Sequence, residues 1–201
     1  ARVFEEMRGE LLILGDPGSG KTILLLQLTE RLLGQAQHDK TRAVPVVFNL
    51  SSWGRDRKPL AEWLVDELKR SYYVPRKTGE RWIADGKLKL LLDGLDEIAP
   101  PEDFTPGSEA AAEADERAVA LRSECIEAIN TYRNTNPHVD LVVCSRVRDY
   151  EALSSKLDLN AAIRLRPLDD TQIADYLAGD SHAGLRDLIA AETSADDMAR
   201  K

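Results

Sequence analysis

One stretch near the start of the chain combines the residue types that bind the phosphates of a nucleotide. It consists of Gly15, Asp16, Pro17, Gly18, Ser19, Gly20, Lys21 and Thr22, and it matches the P-loop pattern G-x-x-x-x-G-K-[ST]. Glycines allow turns in which consecutive backbone N–H groups converge on a phosphate chain. In this pattern the Lys21 ammonium reaches the outer phosphates, and the Thr22 hydroxyl is a ligand of Mg²⁺. A chance loop is the alternative, but the stretch also lies between a strand-like run and a helix-like run, as the P-loop requires.

A second stretch, residues 88–97, supplies the carboxylates that a nucleotide site needs. Asp93 ends an apolar run and is placed to hold magnesium through water, which is the Walker-B role. Gly94 follows, and its small size lets nucleotide or water approach closely. Either Asp96 or Glu97 could then orient the attacking water, and spacing alone does not decide between them. The alternative is that Asp93 merely ends a strand and that the other two acids are solvated.

A third polar position, Arg146, follows the apolar residues 141–144. An arginine at the end of a strand that follows the acidic strand suits a sensor that binds the terminal phosphate of a nucleotide. From position alone, a surface charge explains Arg146 equally well.

These groups need a frame of strands and helices to hold them together. The predicted strands are residues 11–14, 44–48, 88–93, 139–144 and 162–165, and the predicted helices are residues 22–33, 59–72, 117–132, 171–178 and 185–191. The first helix is so rich in leucine that we expect it to be largely buried, and Gly34 is predicted to end it. The alternation predicts an α/β fold with a parallel sheet covered by helices on both faces. Residues 99–116 interrupt it and are predicted to form a mobile acidic insertion, although residues 109–116 could equally extend the next helix.

Composition narrows the classes of function. A chain of 201 residues has room for one sizeable domain, and its net charge of −8 disfavours nucleic acid as the default partner. Every apolar run is far shorter than the about 18 residues of a membrane span. Cys125 and Cys144 are predicted to be core thiols of a reducing compartment and not a disulfide or a metal site. We therefore expect a cytoplasmic protein.

Five stretches together resemble the NACHT family, in the STAND class of P-loop ATPases, and its bacterial members in particular. They are GDPGSGKT, VVFNLSSW (residues 46–53), LLLDGLDEI (90–98), VVCSRVRDY (142–150) and RLRPLDDTQIADYL (164–177). The D-G-h-D-E form of the acidic stretch is the most discriminating of them, because a generic AAA+ enzyme carries paired acids directly after the strand. The resemblance covers nearly the whole chain. It implies an α/β P-loop NTPase of AAA+/STAND type with a five-stranded parallel sheet.

The resemblance also implies roles for single residues. Lys21 and Thr22 take the Walker-A roles, with Thr22 and Asp93 as the magnesium ligands. Asp96 is favoured over Glu97 as the acid that orients water, with Glu97 beside it. Arg146 becomes the phosphate sensor, which makes the surface-charge alternative less attractive. The implied cofactors are ATP or ADP and Mg²⁺.

Pro167, in RLRPL, lies where proteins of this family pack a proline against the adenine. A proline that simply ends a strand explains it nearly as well. The implied domains are a nucleotide-binding core at residues 1–168 and the start of a helical segment at residues 169–201, truncated before a winged-helix domain. The acidic residues 102–116 form a longer stretch than this family usually carries and could serve as a contact surface.

Three functions compete. The family suggests an ATP/ADP-binding switch in signalling or antiphage defence, with slow Mg²⁺-dependent hydrolysis, self-association of the full-length protein, and sensor and effector domains outside this chain. A mechanically active AAA+ type ATPase, such as a remodeller or loader, would need an arginine finger. The sequence identifies no arginine as such a residue. A GTPase or small-molecule kinase is disfavoured, because the [NT]-K-x-D stretch that reads guanine is absent.

Overall fold

Five parallel strands form one sheet in the computed structural model, which describes residues 2–99, 109–167 and 171–172. The strands are β1 (Glu10–Gly15), β2 (Val44–Asn49), β3 (Leu88–Asp93), β4 (Leu141–Arg146) and β5 (Ala162–Leu165). They lie in the order β2-β3-β4-β1-β5, and every neighbouring pair is parallel. The predicted fold class is confirmed, and so is each predicted strand. β4 begins and ends two residues later than predicted, so that Arg146 is its last residue.

Helices connect the strands. Among the described residues the α-helices are α1 (Arg2–Glu6), α2 (Lys21–His38), α3 (Trp53–Asp56), α4 (Leu60–Tyr72), α5 (Arg76–Ala84), α6 (Glu109–Thr135) and α7 (Val147–Glu151). Two short 3₁₀ helices, Leu50–Ser52 and Leu95–Glu97, follow β2 and β3. The sequence did not predict the shortest helices, because hydrophobic periodicity needs a window of about 11 residues or more to be detected.

The helices cover both faces of the sheet, as expected. Side chains of a strand alternate between the two faces, so Leu11 and Ile13 of β1 lie in one cluster and Leu12 lies in the other. The first cluster also takes in α1 and α2, through Phe4, Leu25, Leu28 and Leu32. The second, larger cluster contains residues of α4 and α6, among them Leu60, Trp63, Leu64, Cys125, Ile126 and Ile129. Both cysteines are buried free thiols, which confirms their predicted place in the core.

The prediction for α2 was wrong in two respects. The helix runs through Gly34 to His38, and Asp39 ends it by turning into extended backbone. Its leucines occupy more than one face, and a helix that packs against a sheet on one side buries only one stripe. Ile23 and Leu26 are therefore 60% and 49% exposed.

The structure shows that residues 109–116 extend the next helix, since α6 begins at Glu109. Residues 100–108 of the predicted insertion lie outside the described residues. Of the two predicted C-terminal helices, at residues 171–178 and 185–191, only residues 171–172 are described, and they are helical. The chain divides into two compact units, Ala1–Leu165 and Arg166–Lys201. The predicted domain boundary after residue 168 stays a prediction. None of the described helices combines the length and hydropathy of a membrane span.

Candidate functional site

The candidate residues meet at one edge of the sheet. Lys21 begins α2 directly after the loop that follows β1, Asp93 ends β3, and Arg146 ends β4 beside Gly15 of β1. In open α/β sheets, ligands bind at the carboxyl ends of the parallel strands. The topology thus brings together three stretches that are far apart in the sequence.

Glycines shape the loop of residues 15–22. Gly18 and Gly20 have positive φ angles of 74° and 86°, and an added Cβ at either residue would meet nothing within 4 Å. Glycine is therefore required there by backbone conformation and not by lack of space. Gly20 is also the N-cap of α2, an 18-residue helix, and makes no side-chain cap. The N–H groups of the first turn of such a helix, together with its dipole, form a ready site for an anion.

The lysine and the threonine of the loop have different partners. Lys21 donates from Nζ to the carbonyl oxygens of Gly15 and Asp16, at 3.0 and 3.1 Å, so its ammonium lies over the loop. Thr22 donates from Oγ1 to Oδ2 of Asp93 at 2.9 Å. The hydroxyl and the carboxylate that the sequence predicted as metal ligands are therefore direct neighbours, although 71 residues separate them.

The oxygen atoms of Thr22 and Asp93 suit magnesium, which prefers hard oxygen ligands. Among the described residues there is no cluster of three or more His, Cys, Asp or Glu side chains that could hold a metal ion. A magnesium ion here would therefore need phosphate oxygens and waters to complete its coordination, which is how Mg²⁺ usually binds at phosphate sites. The site fits a Mg²⁺–nucleotide complex and not a metal held by protein alone.

The two acids after Gly94 have different surroundings. Asp96 accepts a hydrogen bond from the backbone N of Arg146 at 3.1 Å, through Oδ1, and its Oδ2 forms an ion pair with Nε of Arg146 at 2.8 Å. The side chain of Asp96 is 6% exposed, whereas that of Arg146 is 48% exposed. Glu97 is exposed, and its Oε2 lies 3.5 Å from Nδ2 of Asn49. Asp96 is thus fixed and Glu97 is accessible.

Asn49 was missed by the sequence reasoning. It is the last residue of β2 and lies beside Asp93 in the sheet. Its Oδ1 accepts a hydrogen bond from the backbone N of Ser51 at 2.8 Å, which holds its amide nitrogen toward Glu97. The signal was a polar residue at the end of a predicted strand, at the same edge as the other candidates.

Two cavities adjoin at this edge. One of about 350 Å³ is lined by Pro17, Gly18, Gly20, Lys21, Thr22, Ile23, Asp93, Gly94, Asp96, Glu97 and Arg146. The other, of about 650 Å³, is lined by Asp16, Pro17, Arg146, Val147, Arg148, Asp149, Glu151 and Arg164. Both volumes lie within the range of small-molecule sites. Arg146 and Pro17 line both cavities, so one ligand could extend from the first into the second.

Cys144 and Pro167 are the remaining residues with a possible chemical role. Burial raises the pKa of the Cys144 thiol, and the nearby Asp93 carboxylate raises it further, so Cys144 is not a thiolate nucleophile at neutral pH. Pro167 is exposed, two residues after the end of β5, and belongs to the second compact unit. Its predicted contact with adenine stays a prediction.

The family model of the NACHT domain matches residues 10–183, which contain all five strands and every residue of the site described above. No curated protein matches the chain.

Proposed function

The chain belongs to the NACHT domain family and is a nucleotide-binding P-loop NTPase, and we propose that it is an ATP/ADP-binding switch that hydrolyses ATP slowly with Mg²⁺. The convergence of Lys21, the Thr22–Asp93 pair and Arg146 around one cavity supports this proposal most strongly. Membership of the NACHT family by itself supports nucleotide binding only. The ATP-dependent switch is our inference from the contacts around that cavity.

Each residue has a task in the proposed reaction. The loop N–H groups and Lys21 bind the phosphate chain, and Lys21 exchanges its carbonyl contacts for phosphate oxygens. Bound Mg²⁺ would neutralise phosphate charge, and Thr22 and Asp93 would hold it. Arg146 binds the terminal phosphate. One of the two acids after Gly94, Asp96 or Glu97, acts on the attacking water.

A path of contacts could carry the nucleotide state away from the phosphates. Arg146 leads directly into α7, whose Asp149 accepts a hydrogen bond from Nη1 of Arg122 at 2.8 Å. Arg122, on α6, also donates from Nε to the carbonyl of Ile98 at 3.0 Å. A shift of Arg146 would therefore act on α7, α6 and the segment that follows Glu97. A two-state element of this kind is what a nucleotide-dependent switch requires.

The proposal for the complete protein goes further. We expect nucleotide-dependent self-association and a role in signalling or antiphage defence, with sensing and effector activity supplied by other domains. The alternative is a mechanically active AAA+ type ATPase. Turnover separates the two, because a remodeller or loader must hydrolyse ATP repeatedly whereas a switch needs one slow event per cycle.

The decisive experiment is a titration with fluorescent ATP, ADP and GTP analogues, with Mg²⁺ and with EDTA. The chain should bind both adenine nucleotides and discriminate against GTP. Lys21→Ala should abolish binding, whereas Lys40→Ala, a matched change at an exposed lysine after α2, should not. Equal affinity for GTP, or unchanged binding by Lys21→Ala, would overturn the adenine-nucleotide switch. Rapid steady-state hydrolysis would favour the mechanical ATPase.

A further inference from the structure

We propose that Asp96 is a positioning residue, which orients the guanidinium of Arg146 toward the terminal phosphate, and that Glu97 is the acid that acts on the attacking water. This inference rests on the proposed function. It reverses the preference for Asp96 that the family resemblance suggested.

The contacts of Asp96 engage both of its carboxylate oxygens with Arg146. Oδ1 accepts a hydrogen bond from the backbone N of Arg146, Oδ2 forms an ion pair with its Nε at 2.8 Å, and the side chain of Asp96 is only 6% exposed. A group that orients or deprotonates water must have an oxygen within hydrogen-bond reach of that water. Turning Asp96 away for this purpose would separate a carboxylate that is only 6% exposed from its charged partner and from the backbone N–H that it accepts.

The same contacts prepare Arg146 for an anion. A guanidinium presents five N–H donors in a rigid, planar fork. Asp96 is paired with the Nε side of this fork at 2.8 Å, and in the described part of the chain neither Nη1 nor Nη2 donates a hydrogen bond. When Asp96 holds the Nε edge of the planar guanidinium, the orientation of the opposite edge, which carries Nη1 and Nη2, is also restricted. Arg146 lines the same cavity as Lys21 and Asp93. Its free edge is thus available for phosphate oxygens, with less entropy left to lose on binding.

Glu97 shows the opposite pattern. It lines the same cavity, it is exposed, and its contact with Asn49 is long, at 3.5 Å. Asp96 and Glu97 are neighbours on a 3₁₀ helix, in which successive side chains point about 120° apart because there are about 3.0 residues per turn. The helix can therefore direct Asp96 toward Arg146, at the end of β4, and Glu97 toward Asn49, at the end of β2.

The two roles make different predictions for affinity and for turnover. Arg146 contacts only the terminal phosphate, so loss of its orientation should weaken ATP binding and leave ADP binding unchanged. Asp96→Ala and Arg146→Ala should each lower the ratio of ATP to ADP affinity by at least about tenfold, the effect of losing one charge-assisted hydrogen bond. The double variant should lose no more than either single variant, because both changes remove the same contact. Glu97→Gln should keep the ratio and lose hydrolysis.

The test measures Mg²⁺–ATP and Mg²⁺–ADP affinities and single-turnover hydrolysis for these four variants and the parent. Unchanged Mg²⁺–ADP affinity serves as the check that each variant is folded, and Asp96→Asn, which keeps one acceptor oxygen, replaces Asp96→Ala if that variant is unstable. An Asp96 variant with the parental affinity ratio and no hydrolysis would overturn the inference and return the water-orienting role to Asp96. If the proposed function itself were wrong, the result would be a different one, because Lys21→Ala would then bind nucleotide with the parental affinity.

Discussion

Replacement of Gly94 by alanine should damage both stability and hydrolysis, for reasons that can be separated. Gly94 has a φ of +77°, and an added Cβ would lie 2.8 Å from Oε2 and 3.0 Å from Cδ of Glu97. The left-handed backbone alone costs an alanine about 1–2 kcal/mol. For a chain of this length that corresponds to a fall in Tm of about 2–8 °C, at about 2–4 °C per kcal/mol. The close contact is relieved most cheaply by moving the flexible end of Glu97.

Two other glycines give matched controls for Gly94→Ala. Gly86 also has a positive φ, of 60°, but an added Cβ meets nothing within 4 Å, so Gly86→Ala reports the backbone cost alone. Gly34 lies inside α2, with neither a positive φ nor a neighbour within 4 Å. Gly34→Ala should therefore stabilise the protein, by about 0.5–1 kcal/mol. The expected order of Tm is Gly34→Ala, then the parent, then the two variants at positive φ.

Hydrolysis then distinguishes Gly94 from Gly86. Because Gly94→Ala displaces Glu97, it should lose phosphate release in a single-turnover assay while it retains Mg²⁺–ADP binding. Gly86→Ala, far from the cavity, should hydrolyse ATP like the parent. If Gly94→Ala matched Gly86→Ala in Tm and also retained the parental rate, the contact between Gly94 and Glu97 would have no functional meaning and the reasoning would be refuted.

Three further changes test other parts of the molecule. Arg133→Leu should lower the free energy of unfolding by about 3 kcal/mol in urea, because it leaves the buried Glu10 carboxylate without its two hydrogen bonds of 2.9 and 3.0 Å; a loss below about 0.5 kcal/mol, typical of surface pairs, would contradict this. Tyr73→Gly should raise Tm slightly, since Tyr73 is 89% exposed yet has a φ of 56° after the end of α4; a lower Tm would indicate a contact that offsets this strain. Asp93→Asn should remove the gain in ATP affinity that Mg²⁺ provides and leave affinity in EDTA unchanged, and an unaltered Mg²⁺ dependence would exclude Asp93 as a ligand.

The sheet and the phosphate-binding loop could be predicted because their signals are local. A buried parallel strand is a continuous apolar run, as in residues 88–92, and the loop needs glycine at positions with positive φ, such as Gly18 and Gly20. The exposed face of α2 could not be predicted in this way. Its leucines permit burial on several sides, and only the packing of the whole domain decides which side is covered.

The contact between Glu97 and Asn49 had no local signal either. These two residues lie 48 positions apart, and their proximity depends on the order of β2 and β3 in the sheet. Sequence periodicity predicts that strands exist but does not give their order. The same holds for Arg146, whose place beside Gly15 follows from the position of β4 next to β1.

The acidic stretch DGLDE shows why the two later acids could not be separated by spacing. Asp93 ends β3, so the edge of the sheet fixes its position, and the sequence was sufficient to predict that position. Gly94 then begins the 3₁₀ turn with a φ of +77°, and Leu95, which is fully buried, packs into the core. With the leucine pointing inward, the next two side chains must point to two other sides of the turn, because a 3₁₀ helix has about three residues per turn. Asp96 then lies against Arg146 of β4 and Glu97 lies near Asn49 of β2, so we expect the two acids to have different tasks.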